Sequence, residues 1–369
     1  MKIISVCGAR PNFMKIAPLT RAFAARPGFT HRIVHTGQHY DEAMSKAFFD
    51  DLHLPRPDVN LEVGSASHAV QTALIMQRFE PVVLQERPDA VLVVGDVNST
   101  IACALVAVKL LVPVIHVEAG LRSFDRTMPE EINRLLTDAV SELLFVTEPA
   151  GVRNLEREGI PAAKIHLVGN VMIDTLRAHQ ALAEQSRILD TLRLAPQSYG
   201  VLTLHRPATV DHPDVLAGVL DALAEVQRTL PLVFPVHPRT RGNLERTGLL
   251  TRVQQMPGLR LTEPLGYLDF LKLMSHARVV LTDSGGIQEE TTVLGVPCLT
   301  LRENTERPIT IEQGTNELVG MNPANILDGF RRVLAGRRPA RIPELWDGRA
   351  AERIADVLVR WHAARAPRA

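Results

Sequence analysis

The feature that most constrains this chain is a regular alternation, kept from one end to the other, of short Val/Ile/Leu-rich runs with longer amphipathic stretches. Runs of four to six residues bounded by turn residues have strand length, the intervening stretches have helix length, and their repetition is the βαβ pattern. The predicted strands of the first half cover residues 2–7, 32–36, 90–94, 114–117, 143–146 and 165–168. Those of the second half cover 200–204, 232–236, 259–262, 279–282, 298–301 and 317–319. The runs are continuously apolar rather than alternating, so both faces of each strand are covered, as in parallel sheets. The expected fold class is α/β, with two doubly wound Rossmann-like domains.

A chain of 369 residues exceeds what one core usually serves. The boundary is placed at a strand end near Val168-Gly169-Asn170, giving domains of 1–168 and 169–348. Gly336, Pro339, Pro343 and Gly348 interrupt the pattern before a last helix within about 349–369, which is expected to return to the first domain. Lys+Arg and Asp+Glu balance at 41 each, so no overall field recruits nucleic acid or an anionic membrane. Cys7, Cys103 and Cys298 sit in separate apolar segments without zinc spacing and read as reduced, buried thiols. Residues 1–7 form a β-like run without the features of a signal peptide, and no apolar segment approaches the roughly 20 residues of a membrane span. A cytoplasmic protein is expected.

In doubly wound sheets, ligands bind at the carboxyl ends of the strands. Here those ends are unusually polar. After the first strand come Gly8-Ala9-Arg10-Pro11-Asn12 and then Lys15, where Arg10 and Lys15 either face an anion or form a solvated helix start. Gly95-Asp96 and His116-Val117-Glu118-Ala119-Gly120 end two further strands. Two carboxylates at matching strand ends can divide acid and base work, because repulsion and burial push their pKa values apart. The bland alternatives are an N-cap for Asp96 and an ion pair with Arg122 for Glu118. Pro129-Glu130-Glu131 has the form of a helix start with acids in its first turn, and only one of the two carboxylates need serve a site.

The densest motif is Val279-Val280-Leu281-Thr282-Asp283-Ser284-Gly285-Gly286-Ile287-Gln288-Glu289-Glu290, a strand that passes through a small turn into a helix. Gly285 and Gly286 let the backbone approach an anion, the first helical N–H groups point at it, and Ser284 adds a hydroxyl. His205-Arg206, His237 and Arg307 follow other strands of the same half. His205 can contact a diphosphate or transfer a proton, and Glu290 can accept from ribose hydroxyls. The set indicates a sugar nucleotide.

At these residues the chain resembles the non-hydrolysing UDP-N-acetylglucosamine 2-epimerases. The match runs in order through Gly8-Ala9-Arg10-Pro11 with Lys15, Gly95-Asp96, residues 116–122, Pro129-Glu130-Glu131, His205-Arg206, residues 283–290 and Thr305-Glu306-Arg307-Pro308. The resemblance implies a fold like the GT-B glycosyltransferases, with the active site in the interdomain cleft and UDP bound by the second domain. It implies reversible inversion at C2 through elimination and re-addition of UDP, in the synthesis of surface-polysaccharide precursors. Asp96, Glu118, Glu130 and His205 are then catalytic. Arg10, Lys15, Phe270, Ser284, Gly285, Gly286, Glu290 and Arg307 bind the substrate. No cofactor, metal or nicotinamide is expected, and the expected partners are the UDP-sugar and a second copy in a homodimer, with no nucleic acid or membrane.

Gln38-His39-Tyr40-Asp41 stands where some members carry an allosteric Gln-His-x-Gln. Asp41 puts a charge there that repels a diphosphate. Asp96-Val97-Asn98-Ser99 and Leu204-His205-Arg206-Pro207 also depart from the best-known members, which leaves a UDP-diacetamido-uronic acid open as the substrate. A glycosyltransferase that uses an acceptor is the alternative activity.

Overall fold

Val-, Ile- and Leu-rich segments pair into two all-parallel sheets. The computed structural model describes residues 1–37, 55–336 and 340–365, with the side chain of Arg10 left aside, and the chain divides into Met1–Ala178 with Glu344–Ala369, and His179–Pro343.

The first unit contains β1 (Lys2–Cys7), β2 (Thr30–His35), β3 (Val59–Asn60), β4 (Ala90–Val94), β5 (Val114–Ala119), β6 (Leu143–Val146) and β7 (Ile165–Leu167) in the order β3-β2-β1-β4-β5-β6-β7. Every residue of β4 and β5 is buried, which is why neither shows polar alternation. Strand order reverses between β1 and β4. The loops opening at that point are Gly8–Ala9 and Gly95–Asp96, on the carboxyl side where doubly wound sheets take ligands.

The second unit contains β8 (Gly200–Thr203), β9 (Leu232–Pro235), β10 (Leu259–Thr262), β11 (Val279–Thr282), β12 (Cys298–Thr300) and β13 (Asn316–Leu318) in the order β10-β9-β8-β11-β12-β13. Its reversal lies between β8 and β11, so Leu204–Arg206 and Asp283–Gly286 emerge side by side. Helix Pro213–Thr229 shows how the core is built. Proline opens it, and Leu216, Val219, Leu220, Leu223 and Val226 recur on one face and are buried against Leu202, Phe234 and Leu281. Each such side chain contributes roughly 1.5–3 kcal/mol.

After residue 343 the chain belongs to the first unit. Trp346 is buried with its indole N–H on the Thr147 carbonyl at 3.0 Å. Asp174 accepts from the N–H groups of Ala350 and Ala351 at 3.0 and 2.7 Å, capping helix Ala350–Arg365. Burial pushes that carboxyl up to about 6 despite those bonds.

The predicted strands are present, with instructive end shifts. Val168, Leu204, Val236 and Leu301 lie one residue beyond their ladders yet stay buried, because hydrophobicity reports burial and not hydrogen bonding. The two-residue β3 was too short and polar to predict. All three cysteines are buried free thiols. Among the described residues, no helix is long and apolar enough to cross a membrane.

Candidate active site

The carboxylates of the first unit are set by a bulge. Between Val117 and Ala119 the pairing of β5 with β6 slips, and Glu118 takes a left-handed backbone with φ of 73°. That conformation is costly for a residue with a Cβ and is kept only where surrounding bonds over-determine it. Here they do. Asp138 is buried on helix Pro129–Val140 and accepts from the Gly120 N–H at 3.1 Å, from Arg122 at 2.7 Å and from His116 Nδ1 at 2.6 Å. The other ring nitrogen of His116 meets the Gly95 carbonyl at 2.9 Å. One buried cluster thereby fixes the backbone on both sides of Glu118 and just before Asp96. Burial alone would push Asp138 up, but His116 and Arg122 hold it below its ordinary range.

Glu118 is 4% exposed and pairs with Lys15 Nζ. Gly95 lies against that pair, and a Cβ there would stand 2.8 Å from Lys15 Nζ and 3.3 Å from Glu118 Oε2. Lys15, expected at the nucleotide sugar, is thus placed on a carboxylate. Arg122, weighed as the partner of Glu118, instead binds Asp138 and Glu158. Asp96 does not cap the helix that follows, whose N-cap is Val97. Its side chain is 27% exposed and pairs with Arg134 Nη1 at 2.6 Å.

Glu130 and Glu131 separate cleanly. Glu131 is buried and accepts from the Ser123 N–H and hydroxyl at 2.9 and 3.0 Å, from the Phe124 N–H at 3.1 Å and from Arg134 at 2.7 Å, which ties the loop after β5 to the helix start. Glu130 is partly exposed and makes no ion pair among the described residues. Of the two, Glu130 is the less buried. In the loop after β1, Asn12 accepts from the Gly8 and Ala9 N–H groups at 3.1 and 2.9 Å, so those donors are already used. Arg10 opens helix Arg10–Ala24. The Gln38–Asp41 motif lies outside the described residues.

In the second unit Ser284 is the N-cap of helix Gly285–Leu294, and its side chain makes no capping bond. Its N–H donates to Thr282 Oγ1 at 3.0 Å. Arg307 packs on Gly285, where a Cβ would stand 2.6 Å from Nη1 and 3.0 Å from Cζ. Its Nε donates to Glu289 at 2.7 Å and its Nη1 to Glu306 at 2.7 Å. Glu306 also receives Arg302 at 2.8 Å and Arg206 at 3.5 Å, so three guanidiniums gather near the helix N-terminus.

Asp283 is fully buried and binds the His205 ring at 2.9 Å. Glu290 is buried with the Tyr267 hydroxyl donating to it at 3.2 Å, and burial pushes it up to about 7. Phe270, one turn along helix Tyr267–Ser275, is partly exposed. The structure therefore brings Asp96, Glu118 and Lys15 together in one unit, and Ser284, Gly285 and Arg307 in the other. The partners Arg134, Asp138, Glu289 and Glu306 were not picked out from sequence. Among the described residues, no three His, Cys, Asp or Glu side chains are grouped as metal ligands.

A family model described as UDP-N-acetylglucosamine 2-epimerase matches residues 21–359. The chain belongs to that family. The UDP-N-acetylglucosamine 2-epimerase of Methanocaldococcus jannaschii is 42% identical over 363 residues, 97% of this chain and 99% of the relative. The UDP-2,3-diacetamido-2,3-dideoxy-D-glucuronate 2-epimerase of Pseudomonas aeruginosa is also 42% identical, over 365 residues, 98% of this chain and all of that one. A crystal structure of the M. jannaschii UDP-GlcNAc 2-epimerase in complex with UDP-GlcNAc and UDP has a TM-score of 0.92, with 42% identity, and covers 98% of this chain and all of its own. The GT-B-like α/β fold is shared with such family members.

Proposed function

We propose that this epimerase inverts C2 of UDP-N-acetylglucosamine to give UDP-N-acetylmannosamine without net hydrolysis. Family membership supports the reaction class. The observation that carries the chemistry is Glu118, held on a strained bulge and paired with Lys15, while Asp96 ends the neighbouring strand.

The C2 hydrogen of such a sugar is too weakly acidic for simple abstraction. In the proposed reaction a carboxylate takes the C2 proton as the C1–O bond breaks, its electron pair leaving on UDP and a C1=C2 bond forming in a 2-acetamidoglucal. Re-addition of the UDP oxygen at C1, with a proton delivered to the opposite face of C2, completes inversion. Asp96, Glu118 and Glu130 serve the C2 proton and the hydroxyls. Leaving-group stabilisation falls to His205, Ser284, Gly285, Gly286, Arg307 and Arg10, where a helix N-terminus without a side-chain cap and the Arg307 guanidinium beside Gly285 favour a diphosphate. Glu290 and Phe270 hold the nucleoside. Homodimer formation in the cytoplasm and supply of surface-polysaccharide precursors belong to the same proposal and follow from the family resemblance.

The equal identity to the P. aeruginosa relative favours a second substrate reading, a UDP-diacetamido-uronic acid. Proton NMR in D₂O with each UDP-sugar tests both. A manno product deuterated at C2 of the nucleotide sugar is expected, and free N-acetylmannosamine with UDP would contradict the non-hydrolysing reading.

A further inference from the structure

Asp283 precedes the Ser284–Gly285–Gly286 turn and has no exposed surface, yet it is bound entirely to the neighbouring loop. Its oxygens accept from the backbone N–H groups of His205 and Arg206, each at 2.9 Å, and from the His205 ring at Nδ1, also at 2.9 Å. Parallel pairing of Thr203 with Thr282 sets the two loops side by side, and the hydroxyls of that pair lie 2.7 Å apart. One segment thus provides both the helix N-terminus and the carboxylate behind the imidazole.

A carboxylate on Nδ1 holds the proton there and turns Nε2 outward. Nε2 is a donor only when both ring nitrogens carry a proton. The His205 side chain is 40% exposed, so that edge is accessible. Burial would push Asp283 up, but the ring and the two N–H groups hold it below its ordinary range. His237 also faces the ring, with its centroid 5.7 Å away, and Arg206 is next in the chain.

We propose that Asp283 is a positioning residue that acts through His205: it accepts from Nδ1–H and fixes the ring so that Nε2 faces the diphosphate, donating to the departing oxygen when the ring carries both protons. This rests on the reading of His205 as a leaving-group contact. A carboxylate that only tied down the turn would hold the two backbone N–H groups without touching the ring.

The test is a two-bond ¹H–¹⁵N correlation of the histidine rings, titrated with pH in the wild type, Asp283→Asn and Asp283→Glu, alongside kcat and KM. Asp283→Asn is expected to move the His205 ring proton off Nδ1 in that correlation. It should also lower kcat by about 10- to 100-fold with little change in KM. Asp283→Glu should recover part of both. Added to His205→Gln, Asp283→Asn should cost nothing further. A wild-type proton position in Asp283→Asn, or multiplicative losses in the double variant, would overturn the proposal. The ring signals need no turnover. A wild type with these signals but no epimerisation of either UDP-sugar would overturn the leaving-group role while leaving the Asp283–His205 pairing intact.

Discussion

The two units use the same sheet logic with opposite sign. In the first, cations hold carboxylates: Lys15 on Glu118 and Arg134 on Asp96. In the second, carboxylates hold basic groups: Glu289 and Glu306 on the Arg307 guanidinium and Asp283 on the His205 ring. Each arrangement places a buried partner behind the group that is to work, which fixes its rotamer and sets its charge before substrate arrives. In the proposed reaction the first unit serves the proton chemistry and the second the anion. The same topology hosts both because the strand-end residues are free to differ while the buried Val and Leu runs are not.

The largest effect should come from the carboxylate set. Glu118→Gln keeps the shape and removes the charge, and kcat is expected to fall by about 10²–10⁴-fold in a turnover assay. A loss under tenfold would break the assignment of proton chemistry to the first unit.

The second effect is on stability against pH. Glu290, at about 7, and Asp174, at about 6, bind protons more tightly when folded than in an unfolded chain. Their contributions are therefore present below the ordinary carboxylate range and lost as pH rises toward 6 and 7. Asp138, Asp283 and Glu131 are held low, so theirs are lost as pH falls. Thermal unfolding should show a maximum at about pH 5, with the alkaline decline, on the order of 4 kcal/mol, flattened in Asp174→Asn/Glu290→Gln. A decline unaltered in that variant would show that other groups govern it.

A smaller effect should follow from Gly95→Ala. Gly95 has φ of 67° and its Cβ would press on Lys15 Nζ. Denaturant unfolding is expected to show a loss of about 1–2 kcal/mol from the backbone conformation, with kcat reduced as the Glu118 pair shifts. Unchanged kcat would detach Lys15 from the placement of Glu118.

Much of this was legible before the structure. Val-rich runs reported strands, glycine after a strand reported a close approach, and a proline followed by acids reported the helix at Pro129. The partners were not legible, because pairing of Lys15 with Glu118 spans 103 residues and that of Arg134 with Asp96 spans 38. Sequence distance carries no information about which strand ends become neighbours. The bulge at Glu118 was hidden for a related reason, since its φ is imposed by bonds to Gly120 and His116 and not by local propensity. Glu130 and Glu131 were interchangeable on paper, and only the loop packed on Glu131 distinguishes them.

The sign reversal is tested most directly by calorimetric titration of UDP into Glu118→Gln and Gly285→Ala side by side with the wild type. A Cβ at 285 displaces Arg307, so Gly285→Ala should weaken UDP binding by about tenfold, or 1.4 kcal/mol, while Glu118→Gln binds UDP as the wild type does. Equal weakening in both variants, or loss in Glu118→Gln alone, would contradict the division of the chemistry between the two units.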